Sequence, residues 1–276
     1  MTKKSILITG CSSGIGLAAA MDLRERGWRV FASCKQQIDC DRLRTMGFES
    51  PRMDYTDTAS LHQGLNEVLE ATGGTLDVLF NNGAHAIPGT VEDLPTDALR
   101  IIFEANFFGW HEVTRSILPV MRAQGHGRII QCSSVLGFVA IPWRGAYVAT
   151  KFALEGLTDA LRLEMRDTNI KIVLIEPGPI STKIRANSIA PFERWIDWEN
   201  SARAEQYKAK LLPRLYKEGG PDPFELPPEA VVKKLIHAIE AKNPRPRYFV
   251  TTPTYIMATL RRLLPTWALD WVLSRP

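Results

Sequence analysis

The sequence predicts an α/β fold: a doubly wound domain with a mostly parallel central sheet of about seven strands and helices on both faces. Three observations carry this. Short apolar runs recur through the first 180 residues, and several are rich in β-branched residues. Longer segments of helical periodicity separate them. The runs are apolar nearly throughout instead of at every second position, which suits strands covered on both faces. Alternation of this kind builds βαβ units, whose crossover rules put helices on both sides of the sheet. With no internal repeat and no low-complexity linker, a single domain over 1–276 is the economical organisation.

In chain order the strand candidates are "SILIT" (5–9), "WRVFASC" (28–34), "FESPRM" (48–53), "LDVLF" (76–80), "GRIIQCS" (127–133) and "IKIVLIEP" (170–177), with "RYFV" (247–250) weaker. Helical patterns fall at 14–26, 39–46, 58–72, 96–123 and 146–168. The pattern breaks after Pro177. Residues 183–226 are rich in charge, tryptophan and proline, with a "GGPDP" turn at 219–223. "PPEAVVKKLIHAIEAK" (227–242) reads as a helix opened by proline. The tail is apolar and partly helical, and Pro265 interrupts it.

The 276 residues are 45% hydrophobic, enough for a sizeable core, and the net charge of +4 is not gathered into a basic tract in the front half. Nucleic-acid binding is therefore not implied. The four cysteines, Cys11, Cys34, Cys40 and Cys132, show no C-x-x-C pair and no metal-ligand spacing with histidine, so reduced thiols and no metal site are expected. "MTKKSILITG" is too short in its apolar part for a signal peptide, and no stretch reaches the roughly 18 apolar residues of a membrane span. A cytoplasmic protein is expected.

"ITGCSSGIG" (8–16) follows the first strand and opens the first helix. Gly10, Gly14 and Gly16 let the backbone turn tightly and approach a pyrophosphate, and the helix N-terminus behind them offers free N–H groups. Further on, "YVATK" places Tyr147 and Lys151 on one helix face. Ser134 lies thirteen positions before Tyr147, at the end of a strand. A loop with Gly137, Pro142 and Gly145 can bring both side chains to one point. Such a set suits reduction of a carbonyl. Negative charge on the oxygen needs a proton, and a cation beside a tyrosine favours its phenolate. Ser133 is the rival hydroxyl, but alternation along the strand points it to the other face.

Taken together, T-G-x-x-x-G-I-G from Thr9 to Gly16, "NNGA" (81–84), Asn106 in "EANFFG", Ser134 in "QCSSVLG", "YVATK" and "EPGPIST" (176–182) resemble the short-chain dehydrogenase/reductase family, nearest its 17β-hydroxysteroid and retinol dehydrogenase branch. The family usually has N-N-A-G where this chain has N-N-G-A. The resemblance implies a Rossmann-type fold and a catalytic tetrad of Asn106, Ser134, Tyr147 and Lys151. Tyr147 is then acid for reduction and base for oxidation, Ser134 orients the same oxygen, Lys151 also binds the nicotinamide ribose, and Asn106 holds a relay water. Cofactor contacts are implied for Gly10, Ser12, Ser13, Gly14, Ile15, Gly16, Lys35, Asp54, Asn82, Gly83, Tyr147, Lys151, Pro177, Gly178, Ile180 and Thr182. Cys34 stands where an acid would select NAD(H), and Lys35 follows it, so NADP(H) is expected over NAD(H).

Residues 183–226 are expected to form a lid over the substrate, and their Ile184, Ile189, Phe192, Trp195, Trp198, Leu211 and Leu212 suit a bulky hydrophobic alcohol or ketone or simply pack the lid. His85 faces the cavity or lies partly exposed. The extension at 251–276 seats on a membrane surface, caps the cavity or packs, and Pro265 favours packing. By analogy, helices 96–123 and 146–168 form a homodimer or homotetramer interface. Two alternatives accompany the alcohol/ketone reading: a 3-oxoacyl thioester reductase, and an NADP(H)-binding sensor without turnover. Cys11 and Cys132 flank the site, where oxidation would block it.

Overall fold

The computed structural model describes residues 3–217 and 222–274. The "GGPDP" turn therefore lies largely outside the described residues. The chain runs β1 (Ser5–Ile8), α1 (Gly14–Glu25), β2 (Arg29–Ala32), α2 (Gln37–Thr45), α3 (Thr58–Thr72), β3 (Val78–Asn81), α4 (Thr96–Phe103), α5 (Gly109–Ala123), β4 (Gly127–Cys132), α6 (Gly145–Glu164) and β5 (Ile170–Glu176). Four short helices follow: α7 (Ile184–Asn187), α8 (Ile189–Trp195), α9 (Ala204–Gln206) and α10 (Leu212–Leu215). Then come α11 (Glu229–Glu240), β6 (Arg247–Phe249), α12 (Thr252–Leu263) and α13 (Thr266–Leu273). The strands form one parallel sheet in the order β2-β1-β3-β4-β5-β6.

Successive residues of β1 show why its apolar run is continuous. Ile6 and Ile8 enter a core closed by Ala19, Ala20 and Leu23 of α1 and by Val231, Leu235 and Ile239 of α11. Leu7 points the other way, into a core closed by Leu61, Leu65 and Val68 of α3 and by Val113, Ile117 and Met121 of α5. Both faces are thus buried, and each such side chain contributes about 1.5–3 kcal/mol.

The sheet has six strands among the described residues, not about seven. "FESPRM" lies beside β2 but makes only two isolated bridges, Phe31 with Glu49 and Cys34 with Arg52. Ala32 N donates to Glu49 O at 2.8 Å and Met53 N donates to Cys34 O at 2.9 Å. Between them Pro51 has no N–H to give, so the ladder is interrupted. The predicted helix 96–123 is also divided: Glu104–Phe108 forms a π-turn between α4 and α5. In the tail, Pro265 separates α12 from α13 as expected.

The lid segment has a core of its own. Phe192, Ile196, Tyr207, Leu211 and Leu215 are buried with Ile87 and Ile102. No helix among the described residues is long and apolar enough to cross a membrane.

Candidate active site

The carboxyl ends of β1 and β3 meet where the strand order reverses, the usual ligand position in open α/β sheets. A cavity of about 1120 Å³ opens there and runs from Lys35 and Asp54 past the glycine loop to Tyr147 and Lys151. Gly10 has φ +71°, and a Cβ on it would stand 2.4 Å from the Gly83 Cα. A Cβ on Gly16 would stand 2.4 Å from the Gly10 carbonyl oxygen. The glycines thus serve two close backbone approaches as well as the turn. Ser12, Ser13, Gly14 and Ile15 also line the cavity.

Asn82 braces this loop. Its N–H donates to Thr9 Oγ1 at 2.9 Å and its Nδ2 donates to Thr9 O at 3.0 Å. The Tyr55 hydroxyl donates to the same Thr9 Oγ1. From α2, Arg42 Nη2 donates to Ser12 O at 2.7 Å. Lys35 Nζ lies 3.6 Å from Asp54 Oδ2, with the lysine side chain 59% exposed. Burial raises the Asp54 pKa, but hydrogen bonds from Thr56 and the charge of Lys35 outweigh it and hold the carboxyl below its ordinary value. Cys34 is buried, and its thiol is pushed up to about 12, chiefly by burial.

Three of the four tetrad candidates, Ser134, Tyr147 and Lys151, line the cavity together, and Asn106 lies behind it against His85 and Thr150. Lys151 is buried, donates from Nζ to Cys132 O at 2.8 Å, and sits over the Trp110 ring at 4.2 Å and the Tyr147 ring at 5.5 Å from the centroids. Burial lowers its pKa to about 8 against the opposing influence of Cys132 and Glu155. Burial pushes the Tyr147 phenol up, Cys132 adds to this, and Ser134 and Arg144 oppose it. Ser134 Oγ accepts from Leu136 N at 3.1 Å and donates to Pro177 O at 3.4 Å. The rival Ser133 is buried beside Gly137 and Glu155. Asn106 lies in the π-turn, fully buried; its Oδ1 accepts from His85 N at 3.1 Å and its Nδ2 donates to His85 O at 2.8 Å. His85 lines the cavity, and burial, then Lys35, lowers its pKa to about 4.

After β5 the chain turns at Pro177 and crosses the glycine loop. Thr182 packs on Gly14, where an added Cβ would meet its Cγ2 at 3.1 Å. Ser181 N donates to Leu226 O, and Leu226 N donates to Pro179 O. That pairing leaves the Ile180 N–H unbonded among the described residues and beside the cavity. Gly178 answers a packing need: a Cβ there would collide with Thr251 Oγ1 at 2.0 Å.

The glycine clearances, the free Ile180 amide and the cationic Lys35 suit a dinucleotide with its phosphates at the loop and its nicotinamide near Tyr147.

Three residues escaped the sequence reading. Trp110 is fully buried, donates from Nε1 to Gly83 O at 2.8 Å and underlies Lys151. Tyr55 holds Thr9. Arg144 lines the cavity three residues before Tyr147. Spacing gave a signal for two of them, since Trp110 is four residues after Asn106 and Arg144 one turn before Tyr147. On the lid, Phe192 and Leu211 pack inward, whereas Ile184 and Ile189 line the cavity.

The sequence model of the short chain dehydrogenase family matches residues 4–191. The chain is 39% identical over 272 residues to the uncharacterized oxidoreductase YbbO of Escherichia coli (strain K12), covering 99% of this chain and 94% of that one. It is 31% identical over 272 residues to the NADPH-dependent 3-dehydrocapnine reductase of Ornithobacterium rhinotracheale, covering 96% and 94%. The crystal structure of a short-chain dehydrogenase from Streptomyces avermitilis superposes with a TM-score of 0.78 at 28% identity, covering 98% of this chain and 94% of that one.

Proposed function

The chain belongs to the short-chain dehydrogenase/reductase family and is an oxidoreductase, and on that premise we propose that it interconverts an alcohol and a ketone of largely apolar substrates with NADP(H). One observation carries the proposal: a single cavity joins the glycine cradle, Lys35, Ser134, Tyr147 and Lys151. Similarity to an NADPH-dependent reductase and the absence of an acid at Cys34 support the choice of NADP(H).

Bound nicotinamide supplies or accepts the hydride. Tyr147 gives its phenolic proton to the carbonyl oxygen in reduction and takes it back in oxidation. Ser134 Oγ exchanges its weak 3.4 Å bond to Pro177 O for one to that oxygen, stabilising the charge that develops there. Lys151 spends one N–H on Cys132 O and keeps two for the nicotinamide ribose. Its positive charge also favours the phenolate when Tyr147 is deprotonated. Asn106 fixes the His85 backbone at the cavity floor, and a relay water at Asn106 is part of the same proposal. The Ile180 amide and Thr182 hold the carboxamide. Exposed Phe108 in the π-turn before α5, with Phe152 and Leu163 on α6, supports assembly of copies through those helices.

The test is a fluorescence titration with NADPH and NADH, followed by a panel of hydrophobic ketones. Tighter NADPH binding, with turnover cut about 10²–10⁴-fold by Tyr147→Phe while binding persists, is expected. Binding without turnover across the panel would point to the sensor, and no binding of either nucleotide would refute the proposal.

A further inference from the structure

Resting on the enzymatic reading above, we propose that the substrate carries an anionic group close to its reacting carbon, and that Arg144 receives it. Carboxylate, sulfonate and phosphate share the chemistry that a guanidinium recognises.

Arg144 occupies the N-cap position of α6, one helical turn before Tyr147, and lines the same cavity. Its Nη1 is buried with no hydrogen-bond partner, and its side chain forms no hydrogen bond or ion pair among the described residues. Arg144 is half-buried, and an unpaired buried N–H such as Nη1 costs about 1–3 kcal/mol, so native proteins keep one where something satisfies it. The neighbouring charges do not satisfy it. Arg185 and Arg214 share the single carboxylate of Asp222, the second contact at 3.4 Å. Asp222 is itself fastened, its N–H donating to Glu225 at 2.9 Å. Burial, then the charges of Arg214 and Arg185, lower the Arg144 pKa to about 10, against the opposing influence of Asp222 and Tyr147.

The backbone is also held to present this side chain. Trp143 has φ +69°, a conformation that costs a bulky residue about 1–2 kcal/mol. Its ring packs edge-on against Tyr207 at 4.9 Å, and its carbonyl accepts from Gly89 N at 3.0 Å. Ile141, Ile184, Ile189 and Leu215 line the cavity nearby. The site therefore fits an amphiphile: a charged head at Arg144, the carbonyl at Tyr147, and an apolar tail against the isoleucines.

Calorimetric titration of the protein saturated with NADPH tests this without requiring turnover, and the bound cofactor keeps anions off the glycine loop. The probes are octanoate, octane-1-sulfonate, octyl phosphate and 1-octanol, below their micellar concentrations. At least one anion binds 10-fold or more tightly than octanol, and the ranking of the three identifies the head group. Arg144→Gln removes that preference while NADPH affinity stays the same. Arg144→Lys keeps part of it, and carries the test if the glutamine variant fails to fold. Octanol binding as tightly as every anion, or a preference that survives in Arg144→Gln, overturns the proposal. Oxidation of NADPH with neutral ketones is followed in parallel, so failure of the enzymatic reading would be seen separately from failure of the anion site.

Discussion

Replacing Gly10 by alanine separates two costs that a glycine loop hides. At φ +71° an alanine pays about 1 kcal/mol for the left-handed conformation alone. Its Cβ would also lie 2.4 Å from the Gly83 Cα and 2.8 Å from the Gly83 N. Carbon atoms rest about 3.5–4.0 Å apart, so the two segments must part by roughly 1 Å. Gly83 is not free to move. Its carbonyl is held by Trp110 at 2.8 Å, and Asn82 is tied to Thr9 at 2.9 Å. Losing one or two of these bonds costs about 1 kcal/mol each, for a total of about 2–3 kcal/mol. Gly27 supplies the control: its φ is +85°, but an added Cβ meets nothing within 4 Å, so Gly27→Ala should lose only about 1 kcal/mol. Urea denaturation measures both losses, and nicotinamide fluorescence measures NADPH affinity. Gly10→Ala should bind NADPH at least 10-fold more weakly, and Gly27→Ala should bind like the parent. Equal losses of stability, or unchanged binding in Gly10→Ala, would refute the argument that the loop is built on contact with Gly83.

Lys35→Ala should weaken NADPH binding about 5-fold at low salt and leave NADH unchanged, since a largely exposed charge contributes about 1 kcal/mol; equal shifts for both nucleotides would count against a 2′-phosphate contact. Lys151→Met should abolish turnover yet stabilise the fold by about 2 kcal/mol at pH 7. Burial depresses the Lys151 pKa to about 8, so the cost of its charge is fully present below pH 8 and fades as pH rises towards the unfolded value. Melting curves at pH 7 and pH 10 read the difference. Serine at Cys11 and Cys132 should leave peroxide sensitivity unchanged, because burial pushes both thiols up, Cys132 to about 11, and thiolate is the reactive form.

Local chemistry explains what could be read without coordinates. The glycine loop, the Tyr147–Lys151 pair and the two-faced strands are set by short-range spacing, and the structure brings the named side chains into one cavity. The third strand candidate failed at Pro51, whose missing donor outweighs the apolar flanks. Lid residues such as Phe192 and Leu211 were ambiguous because an apolar side chain serves a cavity wall or a core equally well until its neighbours are known. Spacing places Arg144 one turn before Tyr147 but not against the cavity wall, because the chain reaches it through the left-handed turn at Trp143, and bulky aromatic residues give no warning of positive φ.

The π-turn at Glu104–Phe108 inserts one residue into what is otherwise a single rod. One residue advances a helix by about 100°, so α4 and α5 present different sides along a shared axis. Ala98 and Ile102 thereby seal the lid core, while Val113, Ile117 and Met121 seal the sheet core. The insertion works as a phase shifter. Excising one residue there would restore regular winding and leave one of the two cores facing solvent.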